Sequence, residues 1–200
     1  MEQTADRAFQ EMLLPAKERL RGRQPEDVAK KSGAVYDPEA ALLKIASLNQ
    51  IVEVTFPDFT CRQKLENWRH LLLLHYLDMA DGFPVSDQLM PFGDVKDGLI
   101  RGTKFDQTVE VELMKLLKDM QPEQLQEICT ALGAEIVKSK ADFAAVFPFF
   151  PHYPVTLNVW FADEEFSATG KLLLSKSADH YLTVEDAVTV GDVLLKLLNS

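Results

Sequence analysis

Between Val155 and Phe161, apolar Val155, Leu157, Val159 and Phe161 alternate with Thr156, Asn158 and Trp160. This two-residue repeat marks a half-buried strand. The acidic turn Asp163-Glu164-Glu165-Phe166 follows, and residues 169–175, with Leu172, Leu173 and Leu174 in a row, predict the returning strand. Thr183 then opens a capping-box pattern: its hydroxyl can accept from first-turn amides and Asp186 can reach back. Val184, Ala187, Val188, Val190, Val193, Leu194, Leu197 and Leu198 recur at helical spacing, so the C-terminal helix packs its apolar stripe on the sheet.

The same procedure organises the rest of the chain. Residues 4–22 carry Phe9, Met12, Leu13, Ala16 and Leu20 on one helical face, with Pro15 expected to bend or restart the helix. Pro25 opens a short second helix and Gly33 stops it. Residues 40–56 read as a hairpin turning at Asn49, which tolerates a left-handed backbone. Residues 62–80 predict a central helix buried on several sides, with Leu65, Trp68, Leu72, His75, Tyr76 and Met79 on its main stripe. The Gly-, Pro- and Asp-rich stretch 82–104 reads as a long irregular loop, and loops of that length are often functional. Helices are predicted over 105–119 and 122–132 and a short strand over 133–137. The prolines of Val-Phe-Pro-Phe-Phe-Pro-His-Tyr-Pro, residues 146–154, impose an extended path into the next strand. The expected architecture is a single α+β domain over residues 1–200. A mostly antiparallel sheet, built from the 40–56 and 154–175 hairpins, packs against several helices including 62–80 and 183–198.

Composition narrows the function classes. With 21 Lys and Arg against 31 Asp and Glu, the net charge is -10, opposite to the basic footprint of a nucleic-acid binder. The basic cluster Lys17, Arg19, Arg21 and Arg23 reads as a solvated helix face. Cys61 and Cys129 lie far apart with no Cys-x-x-Cys or Cys/His spacing, which disfavours a zinc knuckle or iron–sulfur cluster held by this chain alone and suits a reducing cytoplasm. The first residues lack the apolar core of a signal peptide, and no run is long enough to span a bilayer. Signatures of serine hydrolases, zinc proteases, dinucleotide binders and phosphate-loop enzymes are all missing.

Candidate chemistry is sparse. Asp163, Glu164 and Glu165 offer hard oxygen ligands for a divalent cation, though adjacent acidic residues on a turn more often serve solubility. His75 on an apolar stripe must find a partner, and beside a carboxylate it would be an acid, base or ligand; a core histidine bonded to a backbone carbonyl is the plainer alternative. His180 precedes the capped helix and can reach a cleft mouth with Asp179 and Tyr181. Phe147, Phe149, Phe150, His152 and Tyr153 can line an apolar pocket or form a lid over the core. The candidate ligand-binding set is therefore His75, Tyr76, Phe149, His152, Tyr153, Trp160 and His180, with no catalytic residue and no cofactor assigned.

Three segments together, the stretch 71–92 from Leu-Leu-Leu-Leu-His-Tyr-Leu-Asp-Met-Ala-Asp-Gly-Phe-Pro to Met-Pro-Phe, the hairpin from Pro154 to Ser175, and Ser-Ala-Asp-His-Tyr-Leu-Thr-Val-Glu-Asp-Ala-Val-Thr-Val-Gly over 177–191, resemble an uncharacterised family of anaerobes known as domain of unknown function 3786. The resemblance runs roughly from Asp6 to Leu198 and rests on the order and spacing of segments. It implies a cytoplasmic protein, and a link to corrinoid-dependent one-carbon metabolism, since some relatives carry an added iron–sulfur domain. This chain lacks the cysteine quartet and has Ser175-Lys176 where many relatives have an aspartate. The expectation is a binding or accessory protein with a possible corrinoid or metalloprotein partner. The alternatives are a metal-dependent enzyme using the acidic turn and a histidine, or a homodimeric structural protein. Neither nucleic acid nor membrane is expected as a partner.

Overall fold

Two antiparallel sheets, rather than one, organise the α+β fold. The computed structural model describes residues 2–200, with side chains at residue 9 and from residue 11 onward. The chain opens with helix α1 (Glu2–Leu20). It passes through Pro15 without the expected break, because the proline lies on the exposed side while Leu13, Ala16 and Leu20 are fully buried. Helix α2 (Pro25–Ser32) starts at its proline and stops at Gly33, whose φ of 69° is left-handed, both as expected. Arg19 and Arg23 are not a purely solvated face: both pair with the buried carboxylate of Asp78, Arg23 at 2.8 Å.

Strands β1 (Val35–Asp37), β2 (Leu42–Ser47) and β3 (Gln50–Thr55) form the first sheet, with β2 and β3 as the expected hairpin. The left-handed turn residue is Leu48, at φ 55°, not Asn49. The Asn49 amide is engaged elsewhere, donating to the Ala131 carbonyl at 2.6 Å, so a long-range bond overrides the local turn preference. Helix α3 (Asn67–Met79) is shorter at its start than the predicted 62–80. Before it, Cys61 bridges to β3 at Val54, and the Gln63 amide satisfies the backbone of Glu53 and Ile51, so this stretch follows a sheet edge.

The 82–104 stretch is less irregular than expected: it holds strand β4 (Leu89–Met90), a 3-10 turn at Phe92–Asp94 and the start of helix α4 (Arg101–Leu117). Helix α5 (Pro122–Ala131) and strand β5 (Glu135–Ile136) follow close to their predicted places. Strand β6 (Phe143–Phe150) absorbs most of the proline–aromatic stretch, which is thus a sheet strand and not a lid. Pro148 is tolerated because β5 pairs only with Ala145 and Val146. Beyond them the ladder slot is free of β5, and the Pro148 carbonyl accepts from Leu48 of the first sheet at 2.8 Å. Strands β7 (Tyr153–Trp160) and β8 (Thr169–Ser175) form the expected ribbon, and helix α6 (Val184–Leu198) is capped by Thr183. The second sheet has the order β4-β8-β7-β6-β5.

Register separates the faces of this sheet. Phe143, Ala145 and Phe147 of β6 stand opposite Val159, Leu157 and Val155 of β7, and with Leu172 and Leu174 of β8 none is more than 8% exposed. This face belongs to the main core, with Gly170 close against Leu113 of α4. Helix α6 is buried around most of its circumference and touches α3, α4 and α5. The opposite face carries Val146, Pro154, Thr156, Asn158, Lys171, Leu173 and Ser175.

Candidate functional site at the histidine end

The end of α3, the turn between β6 and β7, and the segment leading into α6 meet in one cluster of rings and carboxylates. Tyr76 is fully buried. Its ring stacks on Phe150, with centroids 4.5 Å apart, and on Tyr181 at 5.8 Å. Its hydroxyl donates to the Ser32 carbonyl at 2.7 Å and accepts from the His152 amide at 3.0 Å. Burial pushes the Tyr76 phenol well above its ordinary value. His152 packs edge-on to Tyr181 and its Nδ1 meets the Lys31 carbonyl at 3.2 Å. The Tyr181 hydroxyl donates to the Phe83 carbonyl.

Two histidines at this end are held by aspartates. His75 Nδ1 lies 2.7 Å from Asp186 Oδ1, and Asp186 Oδ2 accepts from the Thr183 hydroxyl at 2.7 Å. Burial pushes the Asp186 carboxyl up, but hydrogen bonds from His75 and then Thr183 outweigh it and hold the group below the usual carboxylate range. An ionised carboxylate only accepts, so Nδ1 carries the proton, and in the neutral ring the Nε2 lone pair is the free one. The His75 side chain is 27% exposed, and Nε2 is neither buried nor partnered among the described residues. His180 repeats the arrangement at the surface: Nδ1 meets Asp81 Oδ2 at 2.7 Å, and its ring stacks on Phe83 with centroids 3.8 Å apart. Next to these pairs, Tyr153 is 1% exposed with a hydroxyl that has no partner among the described residues. Burial, and then the fields of Asp186 and Asp179, push its phenol far upward.

The structure therefore brings His75, Tyr76, His152, Tyr153 and His180 into one neighbourhood. Phe149 is wholly buried behind it, edge-on to Phe150 at 5.1 Å. Trp160 is not part of it, standing seven positions further along β7, roughly 23 Å away at about 3.3 Å per residue. Asp163, Glu164 and Glu165 lie beyond Trp160 at that far end. They are exposed, and Asp163 Oδ1 accepts from the amides of Glu165 and Phe166 at 2.8 and 2.7 Å. Neither His75 nor His180 bonds to this turn, and among the described residues no group of three or more His, Cys, Asp or Glu is arranged to hold a metal ion. Both cysteine thiols are pushed by burial up to about 12, so neither is a ready nucleophile. Sequence reasoning placed His75 but missed its carboxylate, reading Asp186 only as a capping residue. The signal was present in Thr183 and Asp186, an acidic third position free to turn outward, but its partner is 111 positions away.

Comparison with known proteins adds one fact. The family described as "Domain of unknown function (DUF3786)" matches residues 24–197. The chain belongs to this family. Neither a curated protein nor a solved structure matches this chain. The matched span holds every residue of the histidine end and leaves α1 outside. No helix among the described residues is long and apolar enough to cross a membrane.

Proposed function

We propose that this member of the DUF3786 family is a non-catalytic accessory protein that presents His75 to a metal centre carried by a macrocycle or by a partner protein, a corrinoid being the class the sequence resemblance favours. The observation that carries this reading is the His75–Asp186 pair: an imidazole fixed at Nδ1 by a carboxylate, itself held by Thr183, with Nε2 accessible. Aspartate partners of this kind fix the tautomer and raise the basicity of a ligating histidine. One oriented imidazole is a single donor, so the metal it meets must bring most of its own coordination. The metal-dependent enzyme reading finds less support, because the acidic turn and the histidines stand at opposite ends of β7.

The test is spectroscopic. Cob(II)inamide, whose lower axial position carries no base of its own, is mixed anaerobically with the protein. Coordination by His75 adds nitrogen superhyperfine splitting to the cobalt resonance and raises the melting temperature. His75→Ala abolishes both effects and Asp186→Asn weakens them. A cobalt spectrum unchanged by saturating protein would end the corrinoid reading.

A further inference from the structure

The outward face of the five-stranded sheet holds a trough of about 310 Å³, lined by none of the site residues of the histidine end. Its floor is Thr156 and Asn158 of β7 with Ser175 of β8, and Val146 and Pro154 form part of its apolar lining. These floor positions carry short, neutral side chains, and the depression between the rims stays open. Asn158 Oδ1 is buried with no partner among the described residues, an arrangement rare enough to call for an explanation. The NH2 of the same side chain is neither buried nor partnered among the described residues, so it is the donor the floor offers to a ligand.

The rims carry opposite charges. The stretch containing Asp87 leads into β4 at one edge of the sheet, and Lys138 follows β5 at the other edge. Neither side chain has an ion pair or hydrogen bond among the described residues. β4 and β5 are separated by four inter-strand steps, roughly 19 Å backbone to backbone at about 4.8 Å each. Both residues line the trough; with their side chains directed into it, the charges would stand closer than that but farther apart than the ends of a single amino acid. An extended chain covers about 3.3–3.6 Å per residue, which suits a peptide of two or three residues.

We infer that this trough binds a short zwitterionic peptide, with its ammonium at Asp87, its carboxylate at Lys138 and its apolar side chains against Val146 and Pro154. The Asn158 NH2 and the Thr156 hydroxyl would hydrogen-bond the peptide backbone from below. The site is independent of His75 and of the function proposed above.

Titration calorimetry of the full chain with the tripeptide Ala-Leu-Ala tests this, alongside its N-acetylated and C-amidated forms. The zwitterion is expected to bind saturably, and capping either end to weaken binding about tenfold. Lys138→Ala should remove the preference for a free carboxylate while leaving the preference for a free amine, and Asp87→Asn should do the reverse. Both residues are on the surface, and circular dichroism confirms that each variant folds. No saturable binding at millimolar peptide, or equal binding of the capped forms, would overturn the inference.

Discussion

At the residue scale, Asp186 is where folding and the proposed function meet. It accepts from His75 and from Thr183 at the start of α6 while nearly excluded from water, at 8% exposure. Hydrogen bonds to a buried charge are worth about 1.5–3 kcal/mol, and removing one partner leaves the other unsatisfied. Asp186→Ala should therefore lower stability by about 2–3 kcal/mol in urea unfolding at pH 7, with Asp186→Asn losing less. The pH dependence has a definite sign. Because the folded carboxyl lies below its ordinary value, its stabilisation is complete above the unfolded value of about 3.9 and is lost as pH falls through the folded one. The gap between wild type and Asp186→Asn should narrow on acidification below about pH 4, and equal urea midpoints at pH 7 would show that the pair contributes nothing. That the two residues meet was not legible, since only the folded chain brings residues 111 positions apart together. The two halves of the site, a histidine on an apolar stripe and an acidic cap, were both legible.

At the scale of elements, legibility follows the range of the forces involved. The β7–β8 ribbon and α6 stand where alternation, helical spacing and the Thr183 cap put them, because each of those signals acts over a few residues. Strand β6 was read only as an extended lead-in, since Phe-Ala-Ala-Val-Phe-Pro-Phe-Phe has no alternation and contains a proline that only a partly unpaired strand accepts. The division into two sheets depends on pairing between distant strands, and neither periodicity nor composition reports it. Helix α6 adds a case where local preference misleads. Gly191 lies in its interior, where Gly costs about 1 kcal/mol against Ala. A Cβ there would come within 2.3 Å of the Phe105 ring, which packs at 4.8 Å on Phe92. Overpacking a core costs about 1–3 kcal/mol, more than the helix gains. Gly191→Ala should lower the melting temperature despite its better helix propensity; a higher one would mean that Phe105 turns aside without loss.

At the scale of the whole molecule, the open question is how much of the fold depends on the helix that lies outside the family match. Everything the histidine end requires, from Ser32 and α3 to the β6–β7 turn and α6, lies within residues 24–197. Yet α1 is not a loose appendage. Phe9 packs on the ring of His70 at 6.1 Å, Leu13 and Leu20 are wholly buried, and Arg19 shares the Asp78 carboxylate with Arg23. Burying one such apolar side chain contributes about 1.5–3 kcal/mol. Much of that sum is offset by the conformational entropy of ordering the helix. Removing residues 1–22 keeps Arg23, so Asp78 retains one cationic partner and no uncompensated charge is left in the interior. The shortened protein should therefore unfold cooperatively with both sheets intact, about 2–4 kcal/mol less stable, and should bind an apolar dye on the uncovered face of α3. Thermal melts by circular dichroism and dye fluorescence measure the two effects together. A melt that loses cooperativity would make α1 part of the folding core, whereas an unchanged melting temperature without dye binding would mean that α1 contributes no net stability to the fold it covers.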